Sequence, residues 1–208
     1  MNHLFQEAQT TLRILTREEM DEHLETLQNT RIRIFGEDVV IPFDEVKKHR
    51  ALGQDIYSAY GMFVHNEAPV IRAIVHGFMI SHDSYRHIRA GRLDERELPA
   101  WKPSDGPGVL WIGSCLSLVQ RGATRVIDDA LRQIAAHPLR DQMDTIAAFA
   151  TPKGMLLAKG MGLREDTTTH YKNGEPFFEY PLTAAGIENL ASRTMNVFDC
   201  SVRQMYSV

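Results

Sequence analysis

Between Val109 and Val119 the chain is almost continuously apolar, and the run is broken by Gln120-Arg121-Gly122-Ala123-Thr124-Arg125. Beyond that polar stretch Val126, Ile127, Ala130, Leu131 and Ile134 recur at helical spacing, and His137-Pro138 closes the segment. The run reads as an apolar strand and the spaced residues as a helix, while Val70 to Ser81, rich in Ile, Val and Phe, has the composition of a central strand. The small residues Gly122 and Ala123 make the connection a tight strand-to-helix turn. The remaining elements have to be arranged around this unit.

Upstream, Thr16 followed by Glu19 is a capping-box pattern, and Met20, Leu24 and Leu27 continue it at helical spacing. Helix is expected over about 17–28, inside an N-terminal helical region covering 1–30. Arg31 to Phe35 alternates polar and apolar residues, Gly36-Glu37-Asp38 reads as a turn, and Val39 to Ile41 resumes the alternation, which together predict a hairpin. Phe43–Leu52 reads as a polar helix, Ile56–Val64 and Val70–Ser81 as strands around a turn, and Ser84–Ala90 as a short helix. A Pro/Gly-rich loop spans Leu98–Gly108. After the central helix come a strand at Thr145–Ala150, a short helix at Met155–Met161 with Gly162 at its exit, strand-like segments near Leu163–Thr168 and Pro176–Tyr180, and a helical tail at Thr183–Ala191. The expected fold class is α/β (α+β), a central mixed sheet flanked by helices. With no composition break along the chain, 1–208 is expected to be a single domain.

Composition narrows the function classes. Hydrophobic residues make up 43% and charged residues 24%, with a formal net charge of −4, so the chain lacks the basic excess of a nucleic-acid binder. Two isolated cysteines, Cys115 and Cys200, are no disulfide framework. No apolar stretch reaches the roughly 20 residues a bilayer requires, and Met1 to Gln28 is too charged for a signal peptide. The expectation is a cytoplasmic protein with neither membrane nor nucleic acid as partner.

The strand at Val109–Val119, the turn at Gln120–Arg125, the helix, the strand Ala148-Phe149-Ala150-Thr151-Pro152 and the segment from Met155 to Leu163 resemble the acyl-CoA-binding half of the GNAT acyltransferases. The resemblance covers about 109–182, with a looser match back to about 56, and marks the chain as a divergent member. It implies a GNAT-like mixed sheet, no permanently bound cofactor, acetyl-CoA or another acyl-CoA (or an acyl-carrier thioester) as co-substrate, and a primary amine, on a small molecule or a protein, as acceptor. It also implies that Leu118, Val119, Gln120, Arg121, Gly122, Ala123, Thr124 and Arg125 hold the CoA pyrophosphate. Turn N–H groups and a helix N-terminus form an anion site, and small residues let phosphates approach. Backbone N–H groups near Leu118 and Val119 would polarise the thioester carbonyl. The match is imperfect, because Arg125 stands where the family has a second small residue. Ala158 stands where family members often carry a tyrosine that reprotonates the thiolate.

Two branches of the fold bear comparison. The arginine-rich and acidic motif of acyl-homoserine-lactone synthases is not found before the turn. The stretch from Trp101-Lys102-Pro103-Ser104 to Leu110-Trp111-Ile112-Gly113 is similar to the Trp-rich segment of toxin-activating acyltransferases, whose catalytic Asp would fall on Gly113. A non-catalytic GNAT-like domain that binds a ligand or a protein is the alternative from another class.

Acyl transfer to an amine requires a base for the ammonium. His82 and Asp83, at the end of the Val70–Ser81 strand, are the sequence candidates, although Ser-His-Asp-Ser also reads as a hydrogen-bonded turn. Tyr180, with Tyr171 and His170, is the candidate replacement for the missing tyrosine. His76 reads as a buried, hydrogen-bonded core histidine, and Cys115 as a small buried hydrophobe. His82, Asp83 and His87 match no zinc spacing, so no metal site is expected. The Leu98–Gly108 loop and the N-terminal helix are candidates for the acceptor side or for a homodimer contact.

Overall fold

The computed structural model describes residues 11–64, 67–119, 121–170, 174–183 and 185–190. Seven strands form one sheet: β1 (Thr11–Ile14), β2 (Asp55–Phe63), β3 (Val70–Ser81), β4 (Gly108–Ser117), β5 (Met143–Phe149), β6 (Arg164–His170) and β7 (Pro176–Pro181). Their order is β1-β2-β3-β4-β5-β7-β6. Every neighbouring pair is antiparallel except β4 with β5. The parallel pair requires a crossover, supplied by helix α5 (Gly122–Ala136). Its buried stripe of Val126, Ile127, Ala130, Leu131 and Ile134 packs over Ile56, Val75, Leu110 and Ile146. The opposite face carries α1 (Arg17–Glu22), α2 (Leu24–Phe35), α3 (Phe43–Ala51) and α4 (His82–Arg89), packed over Tyr57, Ile74, Phe78 and Trp111. Helix α6 (Pro152–Met161) follows β5 and packs Ala158 against Ala150 and Phe178. Strand β4 is thus covered on both sides, as its apolar run demands.

The capping box forms as read. Thr16 Oγ1 accepts from the Glu19 N–H at 3.3 Å, and Glu19 Oε2 accepts from the Thr16 N–H at 2.9 Å. Gly162 closes α6 in the left-handed region, with φ 90°. Strands β2 to β7, α3 to α6 and the Leu98–Gly108 connection fall close to their expected places, and residues 185–190 are helical.

The N-terminal quarter differs. Residues 11–14 are a strand, and the expected hairpin over Arg31–Ile41 is instead the second half of α2 followed by an irregular segment. The buried positions of α2 include Leu27, Gln28 and Arg31, with Leu24 and Phe35 partly buried. They lie at helical spacing, but Gln28 and Arg31 are polar, so the buried stripe is masked in the sequence. The helix therefore runs past the expected limit at 30. Of the expected sites, Gln120, Tyr171 and Cys200 lie outside the described residues.

The turn into α5 is closed on three sides. Gly122 sits where an added Cβ would lie 2.5 Å from Ser117 Oγ, 2.9 Å from Val119 Cγ2 and 3.1 Å from Ala73 Cβ. A methyl group there must push β4, the turn or β3 aside. Gly122→Ala is expected to destabilise the chain by about 1–3 kcal/mol, read as a lower melting temperature; an unchanged value would mean that the turn is loosely packed.

Candidate functional site

Strands β4 and β5 part company within the sheet. Their pairing runs from Gly108↔Met143 to Trp111↔Ala147 and stops there, although β4 continues to Ser117 and β5 to Phe149. At the same point the β3–β4 register jumps from Gly77↔Ile112 to His76↔Ser114, which leaves Gly113 as the extra residue of a β-bulge. An added Cβ on Gly113 would lie 2.9 Å from Ile41 Cδ1 and 3.3 Å from Phe78 Cε1, so the bulge is pressed against the α2–α3 connection and β3.

A cavity of about 200 Å³ opens where the strands diverge. It reaches both faces of the sheet. On the α2 side its walls include Phe35, Val40, Glu95, Ser114 and Glu175, and on the α5 side Ile112, Ile127, Ala130, Leu131, Ile134 and Ile146. Cys115, Ala148 and Ala150 border the gap itself, and α6 contributes Gly154 and Ala158.

Glu95, which sequence reasoning missed, is the acidic group in this cavity whose titration is displaced. It lies in a single helical turn, Glu95–Glu97, and is 7% exposed. Trp111 Nε1 donates to its Oε2 at 3.1 Å. Burial is the main cause that lifts its pKa to about 7; the Trp111 hydrogen bond and the charge of Arg31 oppose the rise, and Asp94 and Glu175 add to it. Asp94-Glu95-Arg96-Glu97 looks like a solvated charge run, and no local signal separates Glu95 from its neighbours.

Behind Glu95 lies a buried polar row. Tyr57, His76 and Ser114 stand opposite one another across β2, β3 and β4, and the Tyr57 and His76 rings are 4.6 Å apart. Arg31 from α2 is fully buried beside them; its Nη1 donates to Gln28 Oε1 at 3.1 Å, and Gln28 Nε2 donates to the Ile41 carbonyl at 2.8 Å. Among the described residues, Arg31 Nε and Nη2, the Tyr57 hydroxyl, both His76 ring nitrogens and Ser114 Oγ have no hydrogen-bond partner. Tyr57 feels the guanidinium electrostatically but lies outside hydrogen-bond geometry. Burial first, and then the charge of Arg31, hold the His76 pKa well below its usual value, so its ring is neutral. His76 is therefore buried as the sequence suggested, without the hydrogen bonds expected of it.

The sequence-predicted residues are spread over the two ends of the sheet. His82 and Asp83 open α4 next to Ser81, which pairs with Gly108 at the closed end of the β4–β5 wedge. There His82 Nε2 lies 2.8 Å from Asp144 Oδ2, and Asp83 faces Arg86 at 3.1 Å and His87 at 3.7 Å. Neither lines the cavity. Tyr180 on β7 packs with the α5-side core opposite Ile146 and is also not on the cavity wall.

The turn residues stand at the open end. Arg121 adopts a left-handed backbone with φ 62°, a conformation that costs a non-glycine residue about 1–2 kcal/mol. Arg121 and Arg125 are exposed, no side chain caps α5, and Arg125 lies over the Tyr60 ring at 5.3 Å. Ala123 and Thr124 continue the first turn of the helix. The Leu118 N–H donates to the Arg72 carbonyl at 2.7 Å, which withdraws it from the carbonyl-polarising role expected of it, and the Val119 carbonyl accepts from the Ser117 hydroxyl and the Gly122 N–H. Cys115 faces the cleft and is accessible from it, while the surrounding protein raises its thiol to about 12. A thiol displaced upward stays protonated at neutral pH.

No family model and no curated protein matches this sequence. Among solved structures, Arabidopsis thaliana NAA60 in complex with a bisubstrate analogue superposes with a TM-score of 0.50 at 10% identity, over 83% of this chain and 98% of that one. The chain has the GNAT fold. A GNAT acetyltransferase from Staphylococcus aureus superposes with a TM-score of 0.46 at 10% identity, over 84% of this chain and all of that one. FeeM, an N-acyl amino acid synthase from uncultured soil microbes, gives 0.49 at 14% identity, over 91% of this chain and 97% of that one. Ala158 of α6 lines the cavity with its methyl group.

Glu95 yields a test that needs no substrate. Its folded value near 7 exceeds the ordinary 4.5, so between those pH values the folded chain binds more protons than the unfolded one, and stability falls as pH rises. Glu95→Gln keeps an acceptor for Trp111 and removes the penalty. Relative to the parent, the variant is expected to gain stability from pH 5 to pH 8, by on the order of 3 kcal/mol at most. Parallel curves of melting temperature against pH for the two proteins would show that Glu95 is not buried as described.

Proposed function

We propose that this chain is an N-acyltransferase that passes an acyl group from a CoA or carrier-arm thioester to a primary amine by direct attack in the β4–β5 cleft. The observation that carries the reading is the bulge at Gly113 coinciding with the end of β4–β5 pairing, which joins an unpaired strand edge and a buried carboxylate in one cavity. A GNAT-fold protein solved with a bisubstrate analogue is in keeping with such a cleft joining two substrates.

Each part has a physical role. The N-terminus of α5, with its uncapped first turn and the exposed Arg121 and Arg125, suits the phosphates of the donor. Beyond Trp111 the edge of β4 that faces β5 has no strand partner, so its N–H groups near the bulge are the donors for the thioester oxygen as charge develops on it. Glu95 takes a proton from the incoming ammonium, a task for which a pKa of about 7 is well matched at neutral pH. The amine nitrogen then bonds to the carbonyl carbon, the carbon–sulfur bond breaks, and the thiolate takes the proton that the attacking nitrogen sheds. That internal transfer supplies the proton that a tyrosine at Ala158 would otherwise give.

Two measurements test this. Saturating CoA at about 100 times its dissociation constant is expected to add roughly 2.7 kcal/mol of stability, or about 5–10 °C in melting temperature for a chain of this size. The Arg121→Ala/Arg125→Ala double variant is expected to lose the shift. Acyl transfer to a panel of primary amines is expected to rise with pH through about 7 and to drop roughly 100-fold or more in Glu95→Gln, which the stability test above predicts to be well folded. Donor binding without any transfer would instead favour a binding domain.

A further inference from the structure

The two walls of the cavity differ in chemistry. The α2 side holds the polar groups, Glu95, Glu175 and Ser114, whereas the α5 side is built from aliphatic side chains. That aliphatic part does not end where the strands part. Ile146 pairs with Leu110, inside the closed portion of the β4–β5 wedge, and Ile134 lies in the last turns of α5. Both belong to the cavity wall. An acetyl group held at the bulge would stop at the mouth of this extension and leave it empty. Ala158 adds only a methyl group to the α6 part of the wall, so the space beside it stays open.

Accepting the acyltransfer reading above, we infer that the donor carries a medium-length aliphatic acyl chain, and that this chain folds beneath the bulge into the pocket formed by Ile112, Ala130, Leu131, Ile134 and Ile146. Volume sets the length. An apolar cavity of roughly 150 Å³ holds six carbons as benzene, so about 200 Å³ for the whole cavity caps the chain at about eight carbons, the polar side taking its share of that volume. Chemistry sets the direction. Glu95 needs the amine on the α2 side, so the chain leaves the carbonyl toward α5, where the wall is aliphatic apart from Cys115 at the gap.

The direct test is calorimetric titration of the whole chain with CoA and with acetyl-, butyryl-, hexanoyl-, octanoyl- and dodecanoyl-CoA, repeated with the matching S-acyl pantetheines. Burial of one methylene is worth roughly fourfold in affinity. Affinity is therefore expected to climb from acetyl to octanoyl by at least tenfold, with an increasingly negative heat-capacity change, and to level off or fall at dodecanoyl. Ala130→Leu, which fills the pocket, is expected to flatten the series while leaving CoA binding unchanged. Ile134→Ala, which enlarges it, is expected to move the optimum to a longer chain. Equal affinity for acetyl and octanoyl donors in the unaltered protein would overturn the inference and leave the acyltransferase reading standing. Failure to bind any thioester on either arm would overturn both.

Discussion

The parting of two hydrogen-bonded strands is the constraint on which the rest of this molecule depends. A parallel pair that separates within a sheet exposes backbone donors and acceptors that would ordinarily be satisfied, and a buried unpaired amide costs as much as a lost hydrogen bond. The separation survives because its flanks are anchored. Below it, Leu110 and Trp111 pair with Ile146 and Ala147, and Trp111 stacks edge-on against Phe149. Beside it, β3 holds β4 along its length, with the one irregularity at Gly113. Above it, α5 and α6 cover the two separated ends. Everything with chemical interest sits in or around the resulting wedge.

Much of this architecture was legible in the residues. Strand β4 announced itself because a strand covered on both sides has no polar face, and α5 because its stripe of Val126, Ile127, Ala130, Leu131 and Ile134 is purely aliphatic. Helix α2 was illegible for the converse reason. Its buried side includes Gln28 and Arg31, so apolar periodicity fails where the helix is most deeply buried, and the local alternation from Arg31 to Phe35 imitates a strand. Glu95 was illegible because its burial comes from Trp111, a residue in another element. The bulge did leave a trace, since a glycine within a strand often marks one, and Gly113 stands in the middle of β4. His82 and Asp83 follow the end of β3, a place where site residues of open sheets gather. Topology puts that end at the closed side of the wedge, which a linear reading cannot distinguish from the open side.

The buried polar row is the costly part of the fold. A guanidinium with two unpartnered nitrogens, a neutral histidine and a phenol lie together beneath α2, and each loses water without a full set of replacements. A core optimised for stability alone would carry aliphatic residues at these positions. Their concentration on the face that holds Glu95, and the contrast with the aliphatic face under α5, make the sheet a partition between a polar and an oily compartment that meet through one gap.

The bulge at Gly113 also decides which residues belong to which compartment. Side chains alternate along a strand, so each position has a parity, and one extra residue inverts the parity of everything after it. Ser114 reaches the polar row and Cys115 the aliphatic side because Gly113 is bulged out of the ladder, so that Ser114 takes the place opposite His76. A regular β4 that paired Gly113 itself with His76 would turn Ser114 toward Val75 and its aliphatic neighbours and Cys115 to the α2 side, opposite Ile74. One backbone irregularity thus works as a reading-frame marker for the strand, and it keeps the two sides of the sheet chemically distinct.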